Sequence, residues 1–163
     1  MDFFTALILL AALAATGAGL IAGVFYAFST FVMRALAKLP PREGIAAMQA
    51  INIVVINPAF LGVFIGTAII SAIATILALV RWESPRSIYV VVAAVCYIVG
   101  TFGVTMFGNV PLNDELARVR PDDAIAAQVW KDYVRRWTRW NHLRTASALL
   151  AAILFILAQR SGA

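Results

Sequence analysis

Apolar residues in this chain gather in four long runs, 3–33, 59–80, 88–107 and 142–158, separated by shorter polar stretches. About 20 apolar residues cross the hydrocarbon core of a bilayer, so each of the first three runs predicts a transmembrane helix. The fourth run is short by itself, and the polar helix that feeds it extends it backwards. The first run reads as an uncleaved span rather than a signal peptide, because Met1-Asp2 is acidic and the apolar core is too long. The fold expected is all-α: an integral membrane, antiparallel four-helix bundle with short loops, one domain over 1–163.

Proline and glycine punctuate the pattern. Leu39-Pro40-Pro41 ends the first helix. Residues 42–57 read as helix from Ile45, Met48, Ile51 and Val55, and this helix is expected to run on through Pro58, since a membrane helix can kink at proline. A short turn at 81–85 brings Trp82 to the interface. The third span starts near Ser87 and weakens at Gly108-Asn109-Val110-Pro111, and the last helix runs from about 122 to 158. Helices of about 30 to 38 residues would be roughly 45–57 Å long. They exceed a core of about 30 Å, so the bundle should protrude on the side of the first and third connections.

Composition agrees. The chain of 163 residues is 63% hydrophobic, where soluble domains lie nearer half. The net charge of +5 invites a nucleic-acid reading until the charges are placed. Arg34, Lys38, Arg42, Arg118, Arg120, Lys131, Arg135, Arg136 and Arg139 fall on one side of the spans, and Arg81, Arg86 and Arg160 on the other. The positive-inside rule then puts connections 34–58 and 108–141 in the cytoplasm, with both termini outside an inner (plasma) membrane. The basic surplus also favours anionic lipid. Cys96 stands alone, which excludes an internal disulfide and a thiol–disulfide oxidoreductase on this chain. No metal and no cofactor is expected: His142 and Cys96 are too few soft ligands, and no Glu-x-x-His pair exists. No acidic residue lies inside a span, which counts against an ion-coupled transporter.

Small residues suggest where helices touch in lipid. Gly19-x-x-x-Gly23 shares a face with Tyr26, Thr30 and Met33; Gly62-x-x-x-Gly66 with Ala59, Asn52 and Met48; and Tyr97, Thr101, Thr105 and Gly108 align on the third span. The last helix is the most informative. At about 100° per residue, Trp130, Tyr133, Trp137, Asn141 and Arg144 share one face, with Lys131, Asp132, Arg135, Arg136 and Arg139 opposite. Such groups are costly to bury without partners or a ligand. They line a pocket or form a polar network that fixes helix register. All these polar ends, Asn52 included, should converge at the cytoplasmic side.

Two strings, Asn109-Val110-Pro111-Leu112-Asn113 and Trp130-x-x-Tyr133-x-x-x-Trp137-x-x-x-Asn141-His142-x-Arg144, with the four-span layout, resemble the anthrone-oxygenase-like family of small membrane proteins. The likeness runs from about residue 22 to 157. It implies an oxygenase that turns a polycyclic anthrone into an anthraquinone, independent of a cofactor. The alternative is a non-catalytic membrane protein that binds lipid, quinone or another small hydrophobe. For the chemistry, Trp130, Trp137 and Tyr26 could stack a flat ring, while Asn141, Asn113 and Arg144 could donate to a developing oxyanion. His142, the only histidine, is the natural base. It lies off the stripe, so a bend or a contact near Asn109 or Asn113 must bring it in; otherwise it is an interfacial histidine. The expected site is therefore His142, Asn141 and Arg144 as catalytic groups, with Tyr26, Asn52, Asn109, Asn113, Trp130, Tyr133 and Trp137 around a flat substrate. Expected partners are membrane lipid and a small hydrophobic aromatic or quinone-like ligand, not nucleic acid. Homo-oligomerisation is left open.

Overall fold

A computed structural model describes residues 2–161. The expected single domain, 1–163, also takes in Met1, Gly162 and Ala163, which lie outside the described residues. Five helices follow in order: α1 Phe3–Leu36, α2 Pro41–Val54, α3 Pro58–Val80, α4 Arg86–Ala117 and α5 Ala126–Arg160. All but α2 are long and apolar enough to cross a membrane. At 1.5 Å per residue α1, α4 and α5 are about 48–53 Å long, more than a bilayer core needs. The protein is a multi-pass, all-α membrane bundle.

Helix α1 packs on α3 and α5, and α4 packs on α3 and α5, closing a ring. Neighbours run antiparallel. At one end the Arg81 guanidinium lies 4.9 Å from the Phe3 ring, and Arg86 Nε donates to the Ala158 carbonyl at 3.3 Å. At the other end α2 folds over α4 and α5. Asp2 starts α1 by accepting from the Thr5 N–H at 2.8 Å. That bond holds its carboxyl below the usual carboxylate value.

The outward surface of the spans is large and aliphatic, with Leu9, Leu13, Ile69, Ile76, Val99 and Leu149 all exposed. The inward surface is small: Ala11, Ala14, Ala18, Ala74, Ala78, Ala93, Ala148 and Ala151 are buried, with Phe64, Tyr97 and Phe155 filling the gaps. This arrangement suits lipid, where helices gain by close approach rather than by hiding apolar surface from water. A second core lies at the α2 end, built from Met33, Ile45, Met48, Leu112, Leu116, Trp130, Tyr133 and Trp137.

Two expectations need correction. The helix from 42 does not continue through Pro58: it stops at Val54, and α3 begins afresh. Proline forces its predecessor into extended backbone, and Asn57 (φ −130°, ψ 158°) then caps α3 by accepting from the Phe60 N–H at 3.0 Å. The weakening expected at 108–111 leaves α4 continuous. A wide π turn at Thr105–Asn109 lies immediately before Val110-Pro111 in an unbroken helix. Finally, Gly19, Gly23, Gly62 and Gly66 face open space, so neither GxxxG pair makes a contact within the bundle. The close approaches occur at Gly17 against Thr67, Gly44 against Trp130, Gly100 against Ser147 and Gly108 against Trp140.

Candidate functional site

Where the two cores meet, a cavity of about 830 Å³ opens between α1, α2, α3, α4 and α5. Phe25, Phe28, Phe60, Phe64 and Trp137 supply its aromatic wall, and Met48, Ile51, Val55, Leu61 and Val110 its aliphatic part. Its polar groups are few: Gln49, Asn52, Thr105, Asn113, Asp114 and Arg144. A mostly apolar slot with sparse convergent polar groups is the usual make-up of a small-molecule site.

Arg144 dominates this site. It is only 6% exposed, and no ion pair among the described residues includes it; the four present join Arg42 to Asp122, Arg86 to Glu83, Arg135 to Asp132 and Arg136 to Glu115. Its Nε donates to Asn141 Oδ1 at 2.9 Å and one terminal nitrogen donates to Thr105 Oγ1 at 3.2 Å. Its guanidinium carbon lies 3.8 Å from the Phe25 ring centre and 4.9 Å from that of Trp137. The remaining guanidinium donors have no acceptor among the described residues. A cation held by two neutral acceptors and two π faces is well placed but electrostatically uncompensated.

Asn141 does the holding. Its Nδ2 donates to the Phe25 carbonyl at 2.8 Å and to Ser29 Oγ at 2.7 Å. Its Oδ1 accepts from Arg144, whose Nε–H can only donate, so the amide orientation is fixed. Ser29 in turn shares a hydrogen bond with Thr145 Oγ1 at 3.0 Å. Asn113 is fixed in the same way. Its Oδ1 accepts from Tyr133 Oη and from Trp137 Nε1, each at 2.9 Å. An indole N–H cannot accept, so the oxygen must face those rings, and the Asn113 amide nitrogen has no partner among the described residues.

Of the residues expected to line the pocket, Asn52, Asn113, Trp137 and Arg144 do so. Others stand behind the wall. Asn141 is fully buried and spends its amide on Arg144 and α1. Asn109 is also fully buried and donates to the Trp137 carbonyl at 3.2 Å. Tyr133 supports Asn113. Trp130 stacks on Tyr133 at 5.7 Å and packs over Gly44. Two residues are displaced altogether. Tyr26 is 61% exposed on the outer face of α1. His142 is exposed and forms no part of the cavity lining; α5 runs unbroken from Ala126 to Arg160, so no bend turns its side toward the stripe. Arg144 meets Thr105 and Asn141.

Sequence reasoning missed Phe25, Phe28, Phe60 and Phe64, which look like any other apolar residues of a span. Asp114, an exposed residue next to Asn113 and outside the apolar spans, also lines the cavity. Among the described residues no three His, Cys, Asp or Glu side chains converge.

Fold and site together define a small multi-pass membrane protein with a ligand-sized pocket at one end of its bundle. Residues 59–154, more than half of the chain, match the family described as anthrone oxygenase, and the protein belongs to that family. No curated protein and no solved structure matches the chain.

Proposed function

We propose that this protein is an oxygenase-type membrane enzyme acting on a flat, oxygen-bearing polycyclic substrate of the anthrone kind, held in the cavity between α1, α2, α3, α4 and α5. The observation that carries this reading is Arg144, a buried cation without a counter-charge in an otherwise aromatic wall. An anthrone has an acidic methylene opposite its carbonyl. Losing a methylene proton shifts charge onto the carbonyl oxygen, where Arg144 and the Asn113 amide can donate to it. Phe25, Phe64 and Trp137 suit the ring faces. The proton leaves toward Asp114 or water at the mouth. The electron-rich anion then reduces dioxygen, a hydroperoxide forms at the former methylene carbon, and loss of water leaves the second carbonyl. One anthrone and one dioxygen thus give one anthraquinone and one water.

The cap of α2 and the ends of α4 and α5 lie in the cytoplasm in this reading, following the basic residues of the connections. Membrane lipid and the flat ring are the partners.

The test is anthrone oxidation by the protein in lipid nanodiscs, with anthraquinone formation and oxygen uptake followed together. A rate well above heat-treated protein, with one oxygen consumed per quinone, is expected. A rate equal to the spontaneous background sinks the enzymatic reading. One observation favours a second reading: His142, the natural base, lies outside the cavity. If anthrone binds saturably but is not turned over, the protein is a non-catalytic binder of a flat hydrophobe.

A further inference from the structure

We infer that the cavity is loaded sideways from the bilayer, through a portal between the α2–α3 elbow and α4. This inference rests on the proposed reading for the kind of ligand, a flat lipid-dissolved ring, but not for the portal itself. The exposed residues of the cavity lining fall into two sets. Val24, Ile53, Ile56 and Met106 are apolar, with Ile53 at 73% and Ile56 at 69%. Asp114 and Ala117 lie further along α4.

Depth decides what faces the first set. Arg81, Arg86 and an exposed Trp82 mark one boundary of the bundle. Counting 1.5 Å per residue, Met106 lies about 30 Å along α4 from Arg86, and Val24 about 32 Å along α1 from Phe3. Both therefore sit at the opposite edge of a core about 30 Å thick. Ile53 and Ile56 stand at the same level, beside the start of α3. Large aliphatic side chains exposed at that depth face acyl chains, not water. The elbow belongs to the wall: Val55 and Ile56, in the helix gap before Pro58, both line the cavity. An apolar ring partitions into the bilayer and meets this rim without crossing water.

Two measurements in reconstituted vesicles test the portal. In a Cys96→Ala background, nitroxide labels are placed at Ile56→Cys, Met106→Cys and Ala117→Cys. Power saturation should show greater collision with dioxygen, which concentrates in lipid, than with a water-soluble nickel chelate at positions 56 and 106, and the reverse at 117. Chelate access exceeding oxygen access at 56 and 106 overturns the inference. The second measurement is stopped-flow binding of anthrone, read by tryptophan quenching. Ile56→Phe with Met106→Phe should slow association and dissociation alike, about tenfold, with affinity nearly constant, while Ala117→Phe, at the watery end of the lining, slows them far less. Slowing by Ala117→Phe alone, or by neither change, overturns it. If the wild-type protein gives no anthrone signal, the proposed function falls and the label accessibilities alone judge the portal.

Discussion

Two interiors lie end to end in this bundle, and they are built on opposite rules. Between the end marked by Arg86 and the level of Tyr97 and Ala148, the centre is alanine with a few aromatic fillers. Its polar side chains bond to backbone: Ser87 Oγ donates to the Ala78 carbonyl and Tyr97 Oη to the Phe64 carbonyl, both at 3.1 Å. At the α2 end the centre is tryptophan, tyrosine, methionine and leucine. There polar side chains also bond to one another, through Tyr133, Asn113 and Trp137 and through Ser29, Asn141 and Arg144, beside bonds from Asn109 and Asn141 to backbone carbonyls. Small residues let helices close on one another in lipid, so the first interior holds the spans together. Large residues hold helices apart, and the second interior leaves room. The cavity lies at the junction, with the packed interior as its floor.

The comparison breaks most decisively at Arg144. Arg144→Leu should cost at least about 100-fold in anthrone turnover and leave the melting temperature unchanged or raised, since it removes a buried uncompensated charge. Retained turnover in the Leu variant would make Arg144 a register device and move the site elsewhere. Trp137→Ala should weaken anthrone binding about tenfold, whereas Trp140→Ala should change it less than about twofold; titrations in nanodiscs would tell them apart. The packed interior should answer in the other way. Ala151 is fully buried, so Ala151→Leu should destabilise by about 1–3 kcal/mol through overpacking while the folded fraction keeps its turnover. Glycine sharpens the contrast on a smaller scale. A β-carbon at Gly44 would lie 2.8 Å from the Trp130 ring, and one at Gly19 would meet nothing. Gly44→Ala should therefore cost about 1–2 kcal/mol and Gly19→Ala within about 0.5 kcal/mol, read from thermal unfolding in one detergent. Smallest of all, His142→Ala should leave turnover within about twofold of wild type; a large loss would restore His142 as the base.

Much of this contrast was legible before any coordinates. The line Trp130, Tyr133, Trp137, Asn141 and Arg144 is buried in full, because helical periodicity dictates which residues share a face. The off-stripe angle of His142 was legible too, and its exposure follows from it. Two things were hidden. Periodicity gives the face of a helix but not whether a residue stands at the wall or one layer behind it, so Asn141 and Asn113 looked alike and differ. Apolar residues carry even less information in a membrane chain, where facing lipid, a packed neighbour or a cavity all call for the same side chains. Phe25, Phe60 and Phe64 were invisible for that reason. The gap at 55–57 was misjudged because proline in a membrane helix permits either a kink or a stop.

Fixing the Asn113 oxygen between two rings has a chemical corollary. With that lone-pair bearer turned away, the amide and the guanidinium present only hydrogens at this corner of the slot. In the proposed reading, this corner suits a guest that brings a carbonyl or phenolate oxygen to Arg144.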